Sequence, residues 1–215
     1  MTRSNLLAIL AAWCGCLAFC IPLARAADAP PTTQPTGTIK GTVSSPIEVP
    51  FSEMLVYLAP ADNQVIAAPT ESVKISQKGA KFSPSLVAVC VGQSVEFLND
   101  EDRPIEHNVF SNSPAKQFDL GLFKPGESRN VVFDKPGPVF LYCSIHRYMD
   151  GVIYVAPTPY FSRVEDDGTY EIDNIPPGKW TVSTWQRHRR LAETHDDVVV
   201  VDNQTIVQDL PLQKK

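Results

Sequence analysis

The sequence predicts an all-β protein. No long stretch shows the apolar repeat of an amphipathic helix, whereas short alternating segments rich in Val, Ile, Phe and Tyr recur along the chain. Clusters of Pro, Gly, Asn and Asp separate these segments, and Pro is about twice as frequent as usual, at 19 of 215 residues. This composition is typical of β-sandwiches and barrels. The length allows one large core or two small ones.

The N-terminal segment predicts export. A short polar start with Arg3, an apolar run over 6–23 and the ending Ala24-Arg25-Ala26 form the pattern of a secretory signal peptide. We therefore assign 1–26 to a signal peptide that is cleaved near Ala26, which places the protein in the periplasm or otherwise outside the cytoplasm. A retained membrane anchor is the alternative, but the run is short for a stable span.

The charge of the remaining chain limits its partners. Removing Arg3 and Arg25 changes the net charge from −5 to −7. Such a chain is not suited to nucleic acid or to anionic lipid surfaces. We expect neither as a partner, and no membrane span in the mature chain.

Two cysteines remain after the signal peptide. Cys14, Cys16 and Cys20 are removed with it, which leaves Cys90 and Cys143. In an oxidising compartment they can form a disulfide. Cys90, however, lies in the apolar run Leu86–Val91, where a free cysteine packs as a small hydrophobe.

The apolar segments and their turns predict a series of strands. In chain order they are Thr38–Val43, Met54–Leu58, Val73–Ile75, Leu86–Val91, Ser94–Leu98, Ile105–Phe110, Gln117–Leu122, Asn130–Phe133, Val139–Cys143, Gly151–Val155, Phe161–Val164, Thr169–Ile172, Trp180–Trp185, Val198–Val201 and Thr205–Leu210. Tyr142 is expected to be a buried strand aromatic, and Trp180 and Trp185 to pack in a core.

One short loop carries the residues with metal chemistry. Cys143, His146 and Met149 follow the spacing Cys-x2-His-x2-Met between two apolar segments, and His107 on another strand is the fourth candidate ligand. Thiolate and thioether suit cuprous copper, and imidazole suits cupric copper. Two His, one Cys and a weak axial Met form a blue-copper electron-transfer site. Zinc is the alternative, but Met is a poor zinc ligand.

The region around this loop resembles the cupredoxins, the plastocyanin-like blue copper domains. The resemblance covers about 85 residues and is carried by Phe82-Ser83-Pro84, Val91–Asp100, His107-Asn108-Val109-Phe110, Phe133–Gly137 and Tyr142–Met149. It implies a Greek-key β-sandwich with one mononuclear type 1 copper. By that pattern His107 and His146 are the imidazole ligands, Cys143 the thiolate and Met149 the axial thioether. Asn108 is then expected to connect the two ligand-bearing segments.

The ligand loop departs from many plastocyanin-like domains, because it places the Met closer to the His. Binuclear copper loops also end in His-x2-Met but need a second Cys in the loop, and none is present in 143–149. We therefore expect a mononuclear site with Met149 as its axial ligand.

The segments on either side resemble a carboxypeptidase regulatory-like β-sandwich. The matching residues are Gly37–Val43, Val56-Tyr57-Leu58, Glu165–Ile172 and Ile175–Val182. The simplest account is a copper domain inserted into this second sandwich. Its boundaries are then 27–37 for a Pro/Thr-rich linker, 38–68 with 157–213 for the discontinuous sandwich, and 69–156 for the copper domain. The alternative is an N-terminal extension of the copper domain followed by an independent C-terminal sandwich.

The function expected is single-electron transfer, not catalysis. No nucleophile–base pair and no second metal site are evident in the sequence. The redox partner is expected to be a protein such as a c-type cytochrome or a periplasmic oxidoreductase. Copper storage, delivery or sensing is one alternative, and a binding module built on the flanking sandwich is another. The acidic loop 99–106 and the basic cluster 187–190 are either docking surfaces or solvated polar segments.

Overall fold

The structure is a computed structural model that describes residues 35–62, 64 and 66–215. The signal peptide predicted over 1–26 and most of the predicted linker lie outside these residues. The described chain consists of strands and turns with one short 3-10 helix, Phe51–Glu53, which confirms the all-β prediction. Among these residues no helix has the length and apolar character needed to cross a membrane.

The described chain contains seventeen strands. They are β1 Gly37–Ser44, β2 Met54–Pro60, β3 Val73–Gln77, β4 Phe82–Ser83, β5 Leu86–Cys90, β6 Ser94–Asn99, β7 His107–Ser113, β8 Lys116–Phe123, β9 Ser128–Val132, β10 Gly137–Tyr142, β11 Asp150–Ala156, β12 Phe161–Arg163, β13 Thr169–Ile175, β14 Gly178–Gln186, β15 His195–Val200, β16 Thr205–Val207 and β17 Leu210–Pro211.

Four sheets form two sandwiches. In the central sandwich, a sheet of order β5-β11-β10-β7-β8 faces a sheet of order β4-β3-β6-β9. In the outer sandwich, a sheet of order β12-β2-β14-β15 faces the sheet β13-β1-β16, in which β17 also pairs with β1. Each sandwich has its own apolar core, with Phe97 and Phe133 fully buried in the central one and Trp180 in the outer one.

The outer sandwich is assembled from both ends of the described chain. β1 pairs antiparallel with β13, for example Lys40 with Glu171. β2 pairs antiparallel with β14, for example Leu58 with Val182. The chain therefore leaves this sandwich after β2, forms the central one and returns at β12. If the central sandwich is inserted into the outer one, strands from before and after the insertion must pair in this way.

A third apolar cluster joins the two sandwiches. Its buried members are Leu55, Tyr57, Leu86, Val152, Tyr154, Ala156 and Trp185. The Tyr154 ring centroid lies 4.9 Å from that of Trp185 and 5.1 Å from that of Tyr57. β2 and β11 are consequently apolar on both faces, because each strand lies between two cores.

The strands differ from the predicted ones by one to three residues at several ends, and more clearly in three places. β7 begins at His107, not at Ile105, because the Ile105 carbonyl accepts a hydrogen bond from the Asn99 side chain at 2.9 Å and its N–H bonds locally to Arg103. The segment 205–210 forms two short strands that both run parallel to β1. The short strand β4 was not predicted.

Candidate metal centre

The ligand loop 143–149 is held by the strands at its two ends. Tyr142, the last residue of β10, pairs with Asp150, the first residue of β11. Inside the loop, the Met149 N–H donates to the His146 carbonyl at 3.0 Å, which closes a tight turn. The backbone thus fixes both the start and the turn of the loop before any metal binds.

His107, Cys143 and His146 converge at this loop. One potential ligand atom from each residue lies within 4.8 Å of those of the other two. The Nδ1 atoms of His107 and His146 are 3.2 Å apart, and the Cys143 Sγ is 3.6 Å from the His146 Nδ1. The structure therefore brings together three of the four residues predicted as ligands, although His107 is distant in sequence.

The fourth predicted ligand, Met149, lies in the same buried core as Cys143. Met149 is 2% exposed, Cys143 is 6% exposed and His107 is fully buried. His146 is half-buried, so it is the member of this set that reaches furthest toward the surface. The two sulfur-bearing side chains of this set are therefore shielded from water, and His146 is in part accessible to it.

Glu101 is a site residue that the sequence analysis missed. Its Oε1 lies 2.9 Å from the Nε2 of His107 and accepts the Gly79 N–H at 2.6 Å, and its side chain is 6% exposed. The hydrogen bond to His107 lowers the pKa of Glu101, which favours the ionised carboxylate. A carboxylate at Nε2 favours the tautomer that leaves the Nδ1 lone pair free. No sequence signal distinguished this acid from its neighbours in the loop.

Asn108 connects the two ligand-bearing segments, as expected. Its Oδ1 accepts the Ser144 N–H at 3.2 Å, and its Nδ2 donates to Asp119 at 2.7 Å. The Gly121 N–H and the Asn108 amide lower the pKa of Asp119. This buried bridge ties the residue after His107 to the residue after Cys143.

The donor set fits copper. At the bond lengths of a tetrahedral zinc ion, about 2.0–2.1 Å to nitrogen and about 2.3 Å to sulfur, two nitrogens are about 3.3 Å apart and a nitrogen and a sulfur about 3.5 Å apart, so these spacings test whether one small metal ion fits. The distances of 3.2 Å and 3.6 Å match these values. Imidazole, thiolate and thioether together are the donors of a type 1 copper site.

The two cysteines have different surroundings. Both are buried and neither forms a disulfide. Cys90 pairs with Ala156 at one end of β11, whereas Cys143 follows the pair at its other end. Seven strand residues span about 20 Å, which exceeds the reach of a disulfide. Burial raises the pKa of the Cys90 thiol.

The prediction that Tyr142 is buried is wrong. Side chains alternate along β10, so that Val139 and Leu141 point into the core and Tyr142 points outward, with 42% of its surface exposed. Its ring lies 5.7 Å from that of Phe110. Ile145 and Tyr148, in the ligand loop, are also exposed, so the surface near His146 is partly apolar.

Comparison with known proteins supports a cupredoxin domain. No family model matches the chain. Amicyanin-alpha of Methylorubrum extorquens is 29% identical over 108 residues, which are 49% of this chain and 89% of the amicyanin. About half of this chain therefore lies outside the match.

Parts of this chain are also similar to solved structures, among them a cupredoxin and a nitrite reductase. A purple cupredoxin from Nitrosopumilus maritimus is 25% identical with a TM-score of 0.36, and the match covers 40% of this chain and 100% of that one. A copper-containing nitrite reductase from Thermus scotoductus is 24% identical with a TM-score of 0.38, and the match covers 53% of this chain and 28% of that one.

Proposed function

We propose that this chain, whose central sandwich is a cupredoxin domain, is an exported copper protein that transfers single electrons between protein redox partners. The observation that carries the proposal is the convergence of His107, Cys143 and His146 at one end of that sandwich. We assign these three residues and Met149 as the ligands of one mononuclear type 1 copper. A bound copper ion would supply the one-electron couple between its +1 and +2 states.

The chain's own residues suit this task because they are held before the ion binds. The Tyr142–Asp150 pair fixes the ends of the ligand loop, and Asn108 fixes its start relative to His107. Glu101 orients the His107 ring. A site that does not rearrange between two charge states keeps the reorganisation cost of electron transfer low.

Rapid copper delivery would require accessible sulfur donors, and here they are buried. Cys143 and Met149 are 6% and 2% exposed, which favours retention of the ion over exchange. The half-buried His146 and the exposed Ile145 and Tyr148 mark the side on which a partner would approach. We therefore prefer electron transfer to storage or delivery, and to an enzymatic reaction.

The remaining assignments belong to the same proposal. We place the protein in the periplasm, on the signal-peptide pattern of 1–26. We assign 38–68 and 157–213 to a carboxypeptidase regulatory-like sandwich with the copper domain, 69–156, inserted into it. The pairing of β1 with β13 and of β2 with β14 supports that division.

The decisive experiment is to express the chain from Ala27, add one equivalent of cupric ion and record the visible spectrum. We expect an intense thiolate-to-copper band that bleaches reversibly with a reductant and that Cys143→Ala and His107→Ala abolish. Cys90→Ala is the matched control, because it removes the other buried thiol and should keep the band. A colourless protein with an intact Cys143 thiol would refute the proposal, and rapid loss of copper to a chelator would favour delivery.

A further inference from the structure

Four basic side chains from two distant segments meet on the outer sandwich. Arg189 and Arg190 follow β14, and Lys214 and Lys215 follow β17. Together with Ile47 they line a surface depression of about 310 Å³. The four residues are exposed, and we call them the cationic patch. The sequence showed only the first pair as part of a cluster, since the second pair is brought there by the fold.

Backbone contacts, not these side chains, hold the two segments together. The Lys215 N–H donates to the Arg190 carbonyl at 3.0 Å, and an isolated β-bridge joins Leu191 to Lys214. Leu191 and Leu212 are buried in the outer core beside them. The charged groups of these four side chains are therefore not what connects the two segments.

The patch also lacks internal neutralisation. Among the described residues, no carboxylate oxygen lies within 4.0 Å of a charged nitrogen of its four members. The chain as a whole carries a net charge of −5. These four basic side chains therefore form a positive region on the surface of an acidic protein.

One ion pair links the patch segment to the ligand loop. Arg187, at the end of β14, forms an ion pair with Asp150, the residue that follows Met149. The Cα atoms of Arg189 and Arg187 are at most about 8 Å apart, because each residue extends the chain by no more than 3.8 Å. Arg187 thus connects the segment that carries Arg189 and Arg190 to the residue at the end of the ligand loop.

We infer that the cationic patch docks an acidic protein surface and so guides an acidic redox partner to the ligand loop. The identity of the partner as a redox protein rests on the proposed function, whereas its acidic character rests on the patch alone. Complementary charges accelerate association and orient the encounter. An extended anionic surface such as a membrane or a nucleic acid is disfavoured, because the net negative charge of the rest of the chain would be repelled by it.

The test measures binding of a labelled oligoglutamate peptide of about twenty residues to the copper-loaded chain by fluorescence anisotropy. At about 0.01 M ionic strength screening is weak. There the variant R189Q/R190Q/K214Q/K215Q should bind at least about tenfold more weakly than the native chain, a difference that salt removes. The variant K40Q/K74Q/K135Q/K179Q loses the same charge from exposed sites elsewhere and should change the Kd less than about twofold. Thermal unfolding of both variants checks that they fold.

A kinetic measurement ties the patch to the metal centre. The reduced protein gives one electron either to anionic hexacyanoferrate(III) or to cationic tris(phenanthroline)cobalt(III), and each oxidant's metal is lowered by one oxidation state. The patch variant should lower the rate of electron transfer to the anionic oxidant without lowering the rate to the cationic one. The control variant should change the two rates by similar factors.

The outcomes separate the inference from the proposed function. Absence of peptide binding, equal losses in both variants, or patch-dependent binding to phosphatidylglycerol vesicles without peptide binding would each overturn the inference, even in a blue protein. A protein that holds no copper would instead overturn the proposed function, and peptide binding would still be measurable.

Discussion

The central and outer sandwiches each have an apolar core but differ in the role of the polar side chains that they bury. The central sandwich buries His107, Asn99 and Asn108 at the end that carries the ligand loop. The outer sandwich also buries polar side chains, among them Thr184 and Gln186 on β14, but none of them belongs to the candidate metal centre. Buried polar groups cost free energy unless they are hydrogen-bonded. The comparison shows that the central sandwich gives up apolar packing at one end and replaces it with a hydrogen-bonded network that positions ligands.

The largest expected effect is on stability. It tests whether a change in the outer sandwich can lower the free energy of unfolding without altering the metal centre of the central one. Trp180→Ala removes a fully buried ring from the outer core and should lower the free energy of unfolding by about 3–5 kcal/mol in urea titrations. The visible band of the folded protein should not change, because Trp180 lies in the outer core. Trp180→Phe is the control, and it should lower the free energy of unfolding by less because it keeps an aromatic ring in the core. A shifted band in folded Trp180→Ala protein would show that the outer core helps to shape the metal centre.

A smaller effect, on copper affinity, is expected when the polar network of the central sandwich loses one hydrogen bond. Asn108→Ala removes the acceptor of the Ser144 N–H, so the ligand loop loses its link to His107. Copper affinity should fall about 10–100-fold in a chelator competition, as for other residues that orient metal ligands. Asn112→Ala, at an exposed position of the same strand, should leave it unchanged. Equal affinities of the two variants would contradict the role of Asn108.

The smallest effect concerns acid stability of the outer sandwich. The Thr42 N–H and hydroxyl lower the pKa of Asp209 from its usual 3.8. A lowered folded-state pKa stabilises the protein above the unfolded value, and this contribution is lost as the pH falls through the folded value. Asp209→Asn should therefore make the loss of stability between about pH 5 and pH 2 less steep, with the visible band at neutral pH unchanged.

The control for that series is Glu171→Gln, an exposed carboxylate on the neighbouring strand. Its acid-unfolding curve is compared with that of Asp209→Asn, because each variant removes one carboxylate from the outer sandwich. If both variants flatten the curve equally, the Thr42 hydrogen bonds are not the cause.

Local spacing explains why much of the candidate site was predictable. Cys143, His146 and Met149 lie within one loop, so a short pattern identifies them without knowledge of the fold. Glu101 was missed because its role depends on the path of the loop after β6, which buries this acid and leaves Asp102 exposed. Tyr142 was predicted on the wrong face, since an apolar run of four residues does not define which side chains point inward.

The sequence by itself determined the all-β class, most strand positions and the ligand candidates of the loop 143–149, because each of these depends on residues close together in the chain. Only the tertiary structure decided that β2 and β11 are buried on both faces, and that Glu101 reaches His107. It alone brought Lys214 and Lys215 beside Arg189 and Arg190. These features depend on which sheets stack and which strands pair across the chain, and those contacts join residues far apart in sequence.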